Sequence, residues 1–398
     1  MKHDIVVIGA GPAGLSFAAS MMDANVNVLV VEKNTLDNTA NPQEDGREIA
    51  LTHLSVKVLK QLGVWQLIDA EQVSPLKEAK VSDGDSPSLL NFKPDQTEID
   101  ALGYLVPNYL IRKALYERVA TAENIEIISE CGVQDVIESD TQSQVILEDG
   151  RVVETALVVA ADSRFSEIRR KVGIPTLMKD FSKVMIVTKM THEQPHNHIA
   201  LECFDYGKTF ALLPMVGNAS SVVLTVKTNQ SKEILDMSEA AFNQFVTDFF
   251  KAELGQMTQA GERHAYPLIG THAQTFVAKR FALIGDASVG MHPVTAHGFN
   301  LGLRGQDILA QLVKEALTHG QDIGSDALLK LYEKKTINFT RLMFFGTNGV
   351  VALFTNDAPV LKQVRKFVLK FADKFPPIKY LISHHLTESK QNKFLPFG

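Results

Sequence analysis

The chain has 398 residues, 45% of them hydrophobic and 22% charged, enough for two or three domains with real cores. A net charge of −6 and a pI near 6.1 argue against a general nucleic-acid binder, and no basic run is interleaved with stacking aromatics. Cys131 and Cys203 lack CxxC spacing and are too few for a disulfide scaffold; a reducing cytosol suits them, and no metal site is expected. No stretch approaches the roughly 18 to 20 unbroken apolar residues that span a bilayer, so the sequence points to a cytoplasmic protein, or one peripheral on the inner face of the membrane.

In chain order, "DIVVIG" at 4–9 is a β-branched run of the kind buried on both faces of a sheet. Its position imitates a signal peptide, but its glycines do not, and "AGPAGLSFAASMMDAN" changes to helical periodicity before "VNVLVVEK" returns to strand. Gly9, Gly11 and Gly14 in this βαβ unit have the G-x-G-x-x-G spacing that brings backbone and a helix N-terminus against a pyrophosphate. Glu32, about twenty residues on, is placed to accept hydrogen bonds from an adenosine ribose.

Residues 45–65 show apolar residues at helical spacing behind a polar start. Residues 76–100 read as loop or excursion, and 101–121 as a strand followed by a helix with Asn108 as its N-cap. Several short β runs follow, and strand-like segments dominate from 176 to 275, with one helix near 237–252. "RFALIGDA" at 280–287 is another buried strand, and the chain finishes as helices. The fold expected is α/β: a Rossmann-like domain of the glutathione-reductase type, an inserted antiparallel β-sheet domain and C-terminal helices. The boundaries expected are 1–75, 101–175 and 276–330 for the dinucleotide domain, 76–100 and 176–275 for the substrate domain, and 331–398 for the helical segment.

Asp286 follows a strand, at the carboxyl-end rim where α/β folds bind ligands, and Gly298, Phe299 and Asn300 open a helix. The turns at 9–14 and 285–303 can therefore grip opposite parts of one long dinucleotide. Taken together, "GAGPAG" at 9–14, "ADSRFSEIRR" at 161–170 and "GDASVGMHPVTAHGFNLGL" at 285–303 resemble, in order, the single-component flavin aromatic hydroxylases of the p-hydroxybenzoate hydroxylase class. The nearest likeness is to the ubiquinone-biosynthesis hydroxylases (the UbiH, UbiF, UbiI and UbiM group), with V-T-A-H-G-F-N similar to the UbiM branch. The resemblance spans nearly the whole chain, including "DGREIALTHLSVKVLKQLGVW", "LGYLVPNYLIRKAL" and "YPLIGTHA".

That resemblance implies FAD as cofactor, with Gly9, Gly11, Ala13 and Gly14 at its pyrophosphate, Glu32 and Lys33 at its ribose, and Arg47, Asn108 and Asp286 along its length. It implies Gly298, Phe299 and Asn300 at the isoalloxazine ring, with Asp162 and Arg169 in a segment shared with NAD(P)H as transient reductant. The substrates implied are O2 and a prenylated phenol or quinol; other ubiquinone-biosynthesis proteins are the implied partners. His292, Pro293 and His297 are the candidate catalytic positions, the histidines to polarise a substrate hydroxyl or tune the flavin; shaping a turn and bonding backbone are their alternative roles. Two departures stand out: Ser163 replaces the family's glycine after Asp162, a position where glycine's freedom at positive φ is expected to matter, and Ala296-His297-Gly298 replaces Gly-Gln-Gly.

"HEQPH" at 192–196 matches H-E-x-x-H, which binds zinc only on a helix; Pro195 and the preceding strand pattern make it a polar loop. Near the end, Leu361, Val364, Val368, Phe371 and Phe375 form one helical stripe, with Lys362, Arg365, Lys366, Lys370 and Lys374 over the rest. Residues 361–375 could thus lie on an anionic membrane or pack the stripe on the body. Two other functions stay open: an FAD-dependent polyprenyl or aromatic reductase of the same architecture, and a non-catalytic lipid-binding subunit with a residual FAD fold.

Overall fold

The structure, a computed structural model, describes residues 1–83, 90–94, 100–205, 208–293 and 297–355. Segment 361–375 therefore lies outside the described residues. The strand Lys2–Ile8 sits in the middle of an eight-stranded sheet, with Ile5, Val6 and Val7 fully buried because both faces are covered. Five of its strands run parallel, in the order Phe281–Leu283, Val152–Ala160, Lys2–Ile8, Val28–Val31 and Ile125–Ile128. Val133–Ile137 and Ser143–Leu147 form an antiparallel extension on the first half of Val152–Ala160. The helix Pro12–Ser20 packs on the sheet and against Asn108–Val119 and Gly298–Thr318.

A nine-stranded, mostly antiparallel sheet is built around the 17-residue strand Thr176–His192, which pairs with Ala219–Lys227 on one side and His264–Ala273 on the other. Its two faces differ. Ile186, Phe210, Leu212, Val222 and Leu224 point into a core sealed by two helices, Thr228–Leu235 and Glu239–Phe249. Two helices stand where one is expected, because Ser238 caps the second by accepting from Ala241 N. The opposite face turns toward the dinucleotide part: Tyr266 Oη donates to Asp45 O (2.7 Å), and the Phe181 ring meets the His292 ring edge-on at 4.7 Å.

Three other expectations need correction. Residues 76–100 contribute strands: Glu78–Asp83 pairs in parallel with Ile199–Asp205, and Leu90–Phe92 pairs with Glu78–Asp83. A polar segment becomes an edge when a partner strand supplies the ladder. Residues 45–65 divide into a strand, Glu48–Leu51, and a helix, His53–Gln61, with Thr52 Oγ1 capping Ser55 N (3.2 Å) between them. Pairing with Gly103–Pro107 overrides the helical spacing of the first half. Finally, Pro107 occupies the N-cap of Asn108–Val119, so Asn108 is the first helical residue.

Candidate active site

The glycine turn is shaped by what cannot fit there. Gly9 has φ +104°, and a Cβ on it would stand 2.7 Å from Ala161 O; a Cβ on Gly14 would stand 2.0 Å from Gly9 O. At Gly11 nothing lies within 4 Å of such an atom, so the mouth of Pro12–Ser20 is open, and no side chain caps that helix. Free N–H groups beside open space are what a dinucleotide pyrophosphate needs. The site fits FAD on this geometry. Glu32, buried at the end of Val28–Val31, accepts from Ala10 N (2.7 Å) and from Asn34 N (2.8 Å), which locks the turn and presents the carboxylate at the strand end. Lys33 is exposed.

Asp162 lies against the same turn, its Cα 2.9 Å from the position of a Gly9 Cβ. Its Oδ1 is buried with no hydrogen-bond partner among the described residues, and burial raises its pKa, opposed by a hydrogen bond with Ser166. Ser163 does not adopt positive φ, so its replacement of glycine introduces no backbone strain. Arg169 is 1% exposed and donates to Ala287 O (2.7 Å) and Arg164 O (3.1 Å). Its guanidinium ties segment 161–169 to the last motif from inside.

The last motif reaches the first directly: a Cβ on Gly285 would meet the Ala13 methyl at 2.5 Å. Asp286 is half-exposed and accepts from Arg164 Nη2 (2.8 Å), while Arg164 Nη1 donates to Ile269 O (3.0 Å) on the nine-stranded sheet. Asn300 Oδ1 accepts from Thr52 N (3.1 Å) and Ser55 Oγ (2.6 Å), and its Nδ2 donates to Ala50 O (2.8 Å). These bonds fix the start of Gly298–Thr318 on segment 50–55. Phe299 packs partly buried on the main core, and a Cβ on Gly298 would meet nothing within 4 Å.

Arg47 is held rather than free. Its Nε donates to Asp45 Oδ2 (2.9 Å), and its guanidinium lies 5.3 Å from the centre of the Tyr266 ring. Asn108 Nδ2 donates to the same Asp45 oxygen (2.7 Å), and its backbone N–H to Arg47 O (2.9 Å). Burial would raise the Asp45 carboxyl, but Arg47 and Asn108 hold it below the usual range. Beside it Glu48 is pushed up to about 7 by burial, against the pull of Lys189 and with the added repulsion of Asp45 and Glu44.

His292 is buried, and burial with the nearby Lys183 pushes its imidazole down to about 4. It is therefore neutral at physiological pH, contrary to the expectation of a group titrating near neutrality. Pro293 is exposed and His297 half-buried at the N-cap of Gly298–Thr318. The H-E-x-x-H match is no helix: His192 ends a strand, where its ring meets Gln194 O and Ser220 Oγ, and His196 meets Met215 O.

The structure thus gathers Gly9, Gly11, Ala13, Gly14, Glu32, Asp162 and Asp286 at the carboxyl edge of the parallel sheet, and joins Arg47 to Asn108 through Asp45. Sequence reasoning passed over Asp45, Glu48, Arg164 and Tyr266. Asp45 was visible in "DGRE", but its partnership with Asn108 spans 63 residues; the others depend on sheet-to-sheet contact.

Comparison with known proteins agrees with this geometry. Residues 2–344 match the FAD binding domain family. The chain is 45% identical to the ubiquinone hydroxylase UbiM of Neisseria meningitidis, over 97% of this chain and 85% of that protein. It is 30% identical to the ubiquinone hydroxylase UbiL of Rhodospirillum rubrum, over 96% of this chain and 89% of that one. In fold it is similar to the crystal structure of the p-nitrophenol 4-monooxygenase PnpA of Pseudomonas putida, with a TM-score of 0.78 over 98% of this chain and 100% of that chain, at 17% identity. No helix among the described residues is long and apolar enough to cross a membrane. The chain belongs to the FAD binding domain family, as a flavin monooxygenase of the ubiquinone hydroxylase group and its UbiM branch.

Proposed function

We propose that the protein hydroxylates the aromatic ring of a polyprenylated ubiquinone precursor, consuming NAD(P)H, a proton and O2 and releasing NAD(P)+, water and the phenol. The observation that carries this reading is the meeting of three separated segments, 9–14, 161–169 and 285–287, at one sheet edge beside a second sheet. The names of the UbiM and UbiL relatives support ubiquinone chemistry.

In this reading Gly9, Gly11, Ala13 and Gly14 hold the FAD pyrophosphate, Glu32 with Lys33 the ribose, and Asp286 the ribityl or pyrophosphate region. Arg47, positioned by Asp45 and Asn108, lies near the flavin and the pyrophosphate, while Gly298, Phe299 and Asn300 bring backbone to the isoalloxazine. Asp162 belongs to the segment that also receives NAD(P)H. Bound FAD supplies the reduction and activation of O2; the protein orients the ring and excludes water. His292, neutral and shaping the turn with Pro293, and His297 are the side chains that polarise a substrate hydroxyl, by hydrogen bonding. Residues 1–75, 101–175 and 276–330 form the cofactor domain and 76–100 with 176–275 the substrate domain. The basic segment 361–375 would meet an anionic membrane surface that presents a lipid-tailed substrate.

The test is the mass profile of lipid quinones in cells without the protein and in cells where it is restored. A precursor lacking one ring oxygen should accumulate and clear on restoration. A precursor lacking two hydrogens instead would favour the reductase reading, and an unchanged profile in cells with no second hydroxylase would overturn both.

A further inference from the structure

The face of the nine-stranded sheet opposite its two helices carries a carboxyl group with no assigned role. Glu202 lies in the middle of Ile199–Asp205, opposite Val81 on one neighbouring strand and Ala211 on the other. Side chains alternate along a strand, so Leu201 and Cys203 enter the helix-sealed core, and Ala200, Glu202 and Phe204 take the other face. There Phe204 is buried against Phe92, Leu102 and, from the helix Asp326–Thr355, Leu353, beside Val81. Across the sheet from Ala211 come Val223 and then Val187, which sits 3.6 Å from the position of a Cβ on Gly46, next to Arg47. Glu202 thus stands on an apolar wall that faces the cofactor-binding segments.

No hydrogen-bond partner of Glu202 is present among the described residues. Burial pushes its carboxyl up to about 8 with no opposing charge, so it is a neutral acid at pH 7, able to donate one hydrogen bond and accept others. The residue nevertheless keeps some exposure rather than being sealed in a core. An isolated carboxyl in apolar surroundings costs stability, and such costs are concentrated where function requires them.

We propose that Glu202 is a specificity-determining residue, whose carboxyl group hydrogen-bonds a ring hydroxyl of the phenolic substrate while Val81, Ala211 and Phe204 receive the apolar part. This assignment rests on the hydroxylase reading. It is tested with the FAD-loaded full chain and its Glu202→Leu and Glu202→Gln variants, using a hydroquinone with one isoprenyl tail as probe and isoprenylbenzene, which has no ring oxygen, as control. Binding is followed by the visible spectrum of the bound flavin, and stability by Tm.

Glu202→Leu should weaken hydroquinone binding about tenfold, the scale of one neutral hydrogen bond with its desolvation. It should leave isoprenylbenzene unchanged and raise Tm. Glu202→Gln, which keeps a donor and an acceptor, should retain most of the affinity. Equal hydroquinone binding by wild type and the leucine variant, equal weakening of both ligands, or a lowered Tm in both variants would overturn this assignment alone. A wild-type protein that binds flavin but no hydroquinone would overturn the hydroxylase reading and the assignment with it.

Discussion

The two large sheets keep their polar groups in different places. In the parallel sheet the strands themselves are apolar, with Val6, Val7, Val158 and Val159 fully buried, and the acids Glu32, Asp162 and Asp286 come just past the strand ends. In the nine-stranded sheet one face is sealed by helices, and the other carries Glu202 and Tyr266 within the strands. One half therefore makes its site from backbone and loop ends on a rigid scaffold, the other from side chains on a wall. A backbone site fails when any side chain intrudes, whereas a wall can be edited at one position without refolding the protein.

The largest expected effect tests the backbone half. Gly14→Val must displace Gly9 O, so the purified variant should lack flavin absorbance while still melting cooperatively; normal flavin content would break the contrast between the sheets. Next comes Arg169→Met, which removes two buried donors from Ala287 O and Arg164 O and should cost about 3 kcal/mol, read as a Tm several degrees lower. An unchanged Tm with impaired NAD(P)H oxidation would instead make Arg169 a reductant contact.

The smallest effect concerns His292. Its pKa is about 4 in the folded state against about 6.5 when unfolded, so its contribution is complete above pH 6.5 and lost as pH falls toward 4. In His292→Asn the Tm deficit relative to wild type should shrink between pH 7.5 and 5. A constant deficit would mean that the imidazole takes its proton in the folded protein at the ordinary pH, restoring it as a proton carrier.

Much of the cofactor site was legible because its parts are local. Gly9 to Gly14 and Glu32 lie in one βαβ unit, where short-range sterics and strand periodicity determine the turn. Outside that unit, Asn108 looked like a helix cap and is instead the partner of Asp45, since strand Gly103–Pro107 runs straight into the helix and leaves the amide facing a loop 63 residues away. Residues 76–100 looked like loop because an edge strand needs a neighbour that sequence spacing does not reveal.

By itself, then, the sequence determined the parallel βαβ core and the spacing of the glycine turn at 9–14, which depend on residues within a turn or a strand of one another, and its resemblance to a known family implied the cofactor. Only the tertiary structure decided that His292 is neutral, that Arg169 is an internal tie and that Glu202 stands on an apolar wall. Charge state and facing follow from burial, and burial is set by whichever distant strand, helix or lysine packs alongside.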